Sequence, residues 1–220
     1  ADAQAACLRQ RREEWWDGVL QADEYGTSAG QSACREQEDG GGREGGRMRY
    51  GEDCLNLNLF VPEEKGKRPV AVWLHGGAFQ NGRARDREGA RIIREHHFIF
   101  VSVEYRLGAL GYLYLGRELG EKYRHTGNNG TLDQLAALKW IHENIGAFGG
   151  DPDRITVFGE SAGAKSLGAL LLRPEMKRWC SQVLMASGAW QSIRDEDTAE
   201  RVTQMFLEAG KELGYLWKTE

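Results

Sequence analysis

The sequence predicts an α/β fold in which a mostly parallel central sheet is flanked by helices. Apolar segments rich in β-branched and aromatic residues recur along the chain, and segments with a helical spacing of apolar residues separate them. Strands that are apolar along their whole length and alternate with helices are typical of parallel sheets covered on both faces. The 220 residues, 40% of them hydrophobic, suffice for one sizeable core, so we expect a single domain over residues 1–220.

The elements can be assigned in chain order. Residues 1–50 are polar and irregular and contain a glycine-rich loop at residues 40–46. Leu55, Leu57 and Leu59 then alternate with asparagines, which is the two-residue period of a half-buried strand. Further strands are predicted at residues 70–75, 98–104, 155–159 and 182–186, and helices at residues 86–95, 132–145, 162–172 and 199–213.

Charge and hydropathy exclude several classes of partner. The formal net charge is -4 and the 29 Lys and Arg residues are scattered, which argues against nucleic-acid and membrane-surface partners. The longest apolar runs fall far short of the ~20 residues needed to cross a bilayer, so no transmembrane segment is expected.

The four cysteines show neither a CxxC pair nor a histidine at metal-ligand spacing, which argues against a zinc site and a redox dithiol. Two of them, Cys34 and Cys54, bracket the glycine-rich loop. A disulfide between these two and four unpaired thiols in a reducing compartment are both compatible with the composition.

The strand predicted at residues 155–159 runs into Gly159-Glu160-Ser161-Ala162-Gly163 and then into a predicted helix. A serine hydroxyl is a poor nucleophile unless it is held clear of the backbone, beside a base and at the positive end of a helix. A sharp turn from strand to helix achieves this, and the flanking glycines avoid a collision across the bend. The setting favours a nucleophilic Ser161 over an ordinary turn serine.

A second glycine-rich segment follows the strand predicted at residues 70–75. It contains Gly76, Gly77 and Ala78, whose small side chains leave their backbone N–H groups uncovered. Such N–H groups can stabilise a developing oxyanion, together with the N–H of the residue after the nucleophile, here Ala162. His75, which precedes them, is expected to support this loop rather than to act as a base.

Several motifs together resemble those of the type-B carboxylesterases, the family that includes cholinesterases and bile-salt-activated lipases. They occur in the family's order and spacing across about residues 15–190. These motifs are EDCLNLN from residue 52, VWLHGGAF from 72, YRLG from 105, GNNGTLDQ from 127, FGGDP from 148 and FGESAG from 158.

The resemblance implies an α/β-hydrolase fold and a serine hydrolase that acts on small carboxylic esters without a cofactor or metal. It implies a nucleophile at Ser161, oxyanion donors at Gly77, Ala78 and Ala162, and Gly76 and Glu160 near the site. It also implies a disulfide from Cys34 to Cys54, which would be compatible with an extracellular or secretory location.

The acid and the histidine of a catalytic triad follow the nucleophile in this fold. All five histidines here precede Ser161. We therefore expect an incomplete domain, lacking segments at both ends, with negligible turnover by itself and a possible partner in a missing C-terminal portion. The alternatives are a non-catalytic adhesion or binding module and an inactive fragment.

Two structural expectations follow from residue context. Arg106 and Asp133 each lie among apolar or small residues, where a lone charge is costly, so the two are expected to pair. The strand at residues 182–186 is expected to form an unpaired edge of the sheet in the isolated chain.

Overall fold

The computed structural model describes residues 24–31, 49–63, 66–87, 89–188 and 193–215. Its strands are β1 (Ser28–Ala29), β2 (Tyr50–Gly51), β3 (Leu57–Phe60), β4 (Arg68–Leu74), β5 (Ile99–Val103), β6 (Gly150–Glu160) and β7 (Gln182–Ala186). The main sheet has five strands in the spatial order β3-β5-β4-β6-β7, and β1 pairs with β2 in a small second sheet. Only β3 is antiparallel to its neighbour within the main sheet, which confirms the predicted mostly parallel α/β architecture.

The described α-helices are α1 (Gly89–Glu95), α2 (Gly108–Tyr112), α3 (Gly116–Leu119), α4 (Asn129–Asn144), α5 (Ala162–Leu170), α6 (Met176–Trp179) and α7 (Glu196–Glu212). Short 3-10 helices span Ala84–Asp86, Glu121–Tyr123, Thr126–Asn128 and Ile145–Phe148. None of the helices in the described ranges is both long and apolar enough to span a membrane.

The core forms where the sheet meets α4 and α5. All five residues of β5 are buried, as expected for a central strand covered on both faces. Leu138 of α4 and Leu167 of α5 belong to the same buried cluster as Val72 of β4 and Val157 of β6. Burial of such side chains contributes roughly 1.5–3 kcal/mol each, so this cluster fixes the sheet against the helices that carry the site.

The predicted elements occur at or near the expected positions, with several differences at their starts. One of these is α7, which begins at Glu196 rather than 199. β6 begins at Gly150, five residues before the predicted 155, because Gly150 pairs with Arg68 ahead of a register shift. α4 begins at Asn129 rather than 132. The helix expected at 86–95 is divided, since a 3-10 turn (Ala84–Asp86) precedes α1.

The predicted pair of Arg106 and Asp133 is confirmed. The Arg106 guanidinium donates from Nη2 to Asp133 Oδ1 at 2.6 Å and from Nε to Asp133 Oδ2 at 2.7 Å. Both residues are buried, with 3% and 6% exposure. A two-point contact of this kind satisfies both charges and ties the segment after β5 to α4.

The parallel strands end at one edge of the sheet. Leu74, the last residue of β4, pairs with Val103 of β5 on one side and with Gly159 of β6 on the other. The segments that follow these three strands therefore lie side by side. This edge is where open parallel sheets bind their ligands.

Candidate active site

Ser161 lies at the sharp bend between β6 and α5. Its backbone angles are φ 51° and ψ -112°, a region that residues with side chains rarely adopt. The bend is held from both sides, because the Ser161 N–H donates to the Ala186 carbonyl at 2.9 Å and the Ser161 carbonyl accepts from the Lys165 N–H at 3.0 Å. The strand and the helix together therefore fix the direction of the serine side chain.

The glycines around Ser161 are required by close packing. A Cβ at Gly159 would lie 2.5 Å from the backbone carbon of Gly163, and one at Gly163 would lie 2.1 Å from the Leu74 carbonyl oxygen. Real Cβ atoms do not approach other atoms so closely. The motif therefore lets α5 start directly above the end of β4.

The segment at residues 76–78, the oxyanion loop, lies against Ser161. A Cβ at Gly76 would lie 3.3 Å from the Ser161 Cβ and 2.7 Å from Glu160 Oε2. The backbone has positive φ at Gly77 (107°), Ala78 (55°) and Phe79 (62°). This run of unusual backbone angles directs the chain away from ordinary sheet hydrogen bonding.

Three N–H groups near Ser161 remain available to a ligand. Those of Gly77, Ala78 and Ala162 donate no hydrogen bond within the described part of the chain. The N–H of Ala162 is free because it belongs to the first residue of α5, where no preceding turn supplies an acceptor. Free N–H groups beside a helix N-terminus can bind a negatively charged oxygen.

Ser161 itself is half-buried, and Glu160 beside it is exposed. Neither side chain has a hydrogen-bond partner among the described residues. The five histidines of the chain all fall within the described ranges, and none is hydrogen-bonded to Ser161. The described residues thus provide a candidate nucleophile and candidate oxyanion donors but no base for Ser161.

His75 lies beneath the oxyanion loop rather than beside Ser161. It is 1% exposed, its ring stacks on Tyr105 with centroids 4.2 Å apart, and its Nδ1 lies 2.8 Å from the Gly76 carbonyl oxygen. Burial lowers the pKa of His75 to about 4. Its imidazole is therefore neutral at pH 7.

Only one of the two cysteines of the predicted disulfide lies within the described residues. Cys34 lies outside the described residues, whereas Cys54 is buried and carries a free thiol. Burial, with smaller contributions from Asp133 and Glu104, raises the pKa of Cys54 to about 12. The predicted disulfide is not confirmed and stays a prediction.

Sequence reasoning did not assign a role to Glu104, Tyr105 or Gly188. A Cβ at Gly188 would lie 2.5 Å from the Ser161 carbonyl oxygen, so this glycine also shapes the bend. Glu104 was visible as a lone acid at the end of an apolar strand, which is the signal that marks a buried carboxyl group.

The described residues contain no group of three or more His, Cys, Asp or Glu side chains placed to bind a metal ion.

Comparisons with known proteins agree on one family. The model of the carboxylesterase family matches residues 9–219. Para-nitrobenzyl esterase of Bacillus subtilis (strain 168) is 43% identical over 190 residues, which cover 84% of this chain and 37% of that protein. Liver carboxylesterase 1 of Oryctolagus cuniculus is 38% identical over 168 residues, covering 74% of this chain and 29% of that protein.

Solved structures give the same result. The carboxylesterase EST55 of Geobacillus stearothermophilus, in its structure at pH 6.2, superposes with a TM-score of 0.80 and 38% identity. The match covers 91% of this chain and 40% of that one. The chain thus spans less than half the length of the relatives that it matches.

Proposed function

Because the chain belongs to the carboxylesterase family, we propose that it carries the nucleophile and oxyanion hole of a serine carboxylic ester hydrolase. The observation that carries this proposal is the position of Ser161. Its strained bend lies against the oxyanion loop, whose N–H groups at Gly77 and Ala78 are free within the described residues. A plain turn serine has no need for either feature.

The proposed reaction proceeds through an acyl-enzyme. Ser161 Oγ attacks the ester carbonyl carbon and loses its proton to a base, and the carbonyl oxygen becomes an oxyanion. The N–H groups of Gly77, Ala78 and Ala162 stabilise that charge, an effect worth roughly 3–4 kcal/mol for each donor in comparable enzymes. The C–O bond to the alcohol then breaks, the alcohol leaves with a proton, and water releases the acid from Ser161.

We propose that the base and its orienting acid lie in a further, C-terminal portion of the same protein, since this chain spans less than half the length of its relatives. His75 is buried, neutral and bonded to the oxyanion loop, and no other histidine is hydrogen-bonded to Ser161 among the described residues. In this fold both groups follow the nucleophile in the chain. A C-terminal portion of the same protein is therefore the proposed partner, and a small carboxylic ester is the proposed substrate.

A fluorophosphonate probe, read out by peptide mass spectrometry, tests the proposal. The probe should label Ser161 when a C-terminal portion is present, and label it at least a hundred-fold more slowly on the 220-residue chain alone, because the serine then lacks its base. Ser161→Ala is the control and should remain unlabelled in both samples.

The competing function is a non-catalytic binding module of the same fold. Absence of labelling at Ser161 both with and without the C-terminal portion would favour that module and contradict the esterase proposal. Labelling at a different residue would contradict the assignment of the nucleophile.

A further inference from the structure

Two buried polar side chains face each other beneath the oxyanion loop. His75 follows β4 and Glu104 follows β5, and these strands are parallel neighbours whose last residues pair. The two side chains are 1% and 4% exposed. Nothing in the proposed reaction uses Glu104, although a buried carboxyl group is costly unless its oxygens are satisfied.

We call His75 and Glu104 the buried pair. Among the described residues, their hydrogen bonds leave one polar side-chain atom of each residue without a partner. Glu104 Oε1 accepts from Ser28 Oγ at 2.7 Å and from the Ala84 N–H at 3.0 Å. Within the described part of the chain, Glu104 Oε2 and His75 Nε2 have no hydrogen-bond partner. These two orphan atoms lie 4.0 Å from each other.

The other ring nitrogen decides where the imidazole proton lies. His75 Nδ1 is 2.8 Å from the Gly76 carbonyl oxygen, which can only accept. Nδ1 therefore carries the hydrogen, and in a neutral ring Nε2 is left with a lone pair. One proton on Glu104 Oε2 satisfies both orphan atoms at once.

We propose that Glu104 is held as a neutral carboxylic acid that donates its proton to His75 Nε2, and that the buried pair positions the oxyanion loop. The 4.0 Å separation is longer than a direct O–H···N bond of about 2.8 Å, and a rotation of the carboxyl group or one bridging water closes it. Burial, opposed by the bonds from Ser28 and Ala84, raises the pKa of Glu104 to about 7.

The positioning follows from the geometry of one peptide group. The Gly76 carbonyl and the Gly77 N–H belong to the same planar peptide unit and point in opposite directions. By holding the Gly76 carbonyl, His75 Nδ1 sets the direction of the Gly77 N–H, which is a proposed oxyanion donor. Glu104 is thus a positioning residue that acts through His75. The effect of Glu104 on the reaction rests on the proposed function.

The other charged or titratable groups near the buried pair do not mask the titration of Glu104. Arg83 and Asp86 act on both members with opposite signs, and they are paired with each other at 2.7 Å. The Cys54 thiol has a pKa of about 12, and burial raises the pKa of Tyr105 well above its ordinary value. Neither the Cys54 thiol nor the Tyr105 hydroxyl changes charge between pH 5 and 8.

Amide replacement at two buried acids tests the charge of Glu104. Glu104→Gln keeps an acceptor for Ser28 and Ala84 and a donor for His75, so it mimics the neutral acid. The matched control Asp133→Asn removes the carboxylate that pairs with the buried guanidinium of Arg106. Urea unfolding of the 220-residue chain and both variants is measured from pH 4.5 to pH 8.

Glu104→Gln is expected to match the wild type at pH 4.5 and to become relatively more stable up to about pH 7. At Glu104 the wild type holds one proton more when folded than when unfolded over this interval, so the contribution of this group to stability falls as the pH rises. The opposite contribution of buried His75 is common to both proteins and cancels in their comparison. The folding constant of Glu104→Gln divided by that of the wild type should grow by roughly two orders of magnitude from pH 4.5 to pH 7. Above pH 7 this ratio should stay constant. Asp133→Asn should be less stable than the wild type at neutral pH.

An ionised Glu104 would reverse this result. If Glu104→Gln is as destabilising at pH 7 as Asp133→Asn, Glu104 is a carboxylate paired with a charged imidazole, and the proposal is wrong. Nitrogen-15 NMR provides a second measurement on the wild type. His75 should be neutral with its hydrogen on Nδ1 at pH 6, and an imidazolium would overturn the proposal.

The positioning role has its own test, which does not require turnover. The amide resonance of Gly77 should shift with a midpoint near pH 7 in the wild type and lose that transition in Glu104→Gln. An identical titration in both proteins would refute the positioning role. Because none of these measurements depends on the reactivity of Ser161, failure of the buried pair and failure of the esterase proposal are distinguishable.

Discussion

Ser161 combines the proposed nucleophilic side chain with an unfavourable backbone conformation. Its φ of 51° and ψ of -112° are tolerated by glycine but strained for any residue with a Cβ. In the proposed reaction this strained bend presents the Ser161 hydroxyl to the ester. Stability and reactivity are therefore opposed at this position.

Replacing Ser161 separates the two effects. Ser161→Gly is expected to be more stable than Ser161→Ala by about 1–2 kcal/mol, because glycine relieves the strained conformation. Neither variant should react with a fluorophosphonate. Urea unfolding provides the measurement, and equal stabilities of the two variants would show that the bend is unstrained.

Individual site residues differ in how far the sequence alone could identify them. Ser161, Gly77 and Ala78 could be proposed as site residues because their motifs constrain the backbone locally. Glu104 could be recognised as unusual but not assigned, because its contact with His75 depends on β4 and β5 being neighbours. Spatial order in a sheet is a property of the whole fold, and no local pattern encodes it.

Among the structural elements, the bend between β6 and α5 depends on glycines that no other residue can replace. Gly163→Ala would place a Cβ 2.1 Å from the Leu74 carbonyl oxygen. We expect this variant to be destabilised by about 3 kcal/mol or more, since the helix must move away from β4. Gly146→Ala is the matched control, because a Cβ there would meet nothing within 4 Å. Thermal unfolding of both variants measures the difference, and a Gly163→Ala protein as stable as the control would contradict the close packing.

The salt bridge between Arg106 and Asp133 links the segment after β5 to α4. Besides the two guanidinium contacts, the Arg106 backbone N–H donates to Asp133 Oδ2 at 3.2 Å. Asp133→Asn is expected to cost about 3–5 kcal/mol at neutral pH, because the buried guanidinium of Arg106 loses the carboxylate of its two-point contact. Chemical denaturation measures the loss, and a change below about 1 kcal/mol would mean that Arg106 reaches solvent or another anion.

Long apolar strands and helices were predictable because burial imposes a clear period on them. α2, α3 and α6, of four or five residues each, were not predicted. Helices so short gain little from their own hydrogen bonds and depend on tertiary contacts. Tyr112 of α2 shows this dependence, since its ring packs edge-on against the ring of Phe79 with the centroids 4.8 Å apart. The two-residue strands β1 and β2 arise within or beside the region that was expected to be irregular.

At the scale of the whole molecule, the chain is part of a carboxylesterase-family fold, as its motifs predicted. Its main sheet ends at β7, which pairs on one side only among the described strands. Leu184 in that strand is 59% exposed. An apolar sheet edge of this kind favours association between chains.

Charge at this edge should reduce that association. Leu184→Lys is expected to lower the light scattering of the concentrated 220-residue chain, with a stability change within about 0.5 kcal/mol. Leu172→Lys makes the same chemical change at a residue that is 65% exposed but lies outside the sheet, and it should leave the scattering unchanged. Equal effects of the two substitutions would exclude edge pairing as the cause.

The central claim is that the bend at Ser161 presents its Oγ to free N–H groups of the oxyanion loop and α5. The most direct measurement is a crystal structure of the phosphonylated protein, in which the phosphonyl oxygen takes the place of the oxyanion. The account predicts that this oxygen lies about 2.7–3.1 Å from the backbone nitrogens of Gly77, Ala78 and Ala162. A phosphonyl oxygen directed to solvent, with those nitrogens bonded elsewhere, would contradict it.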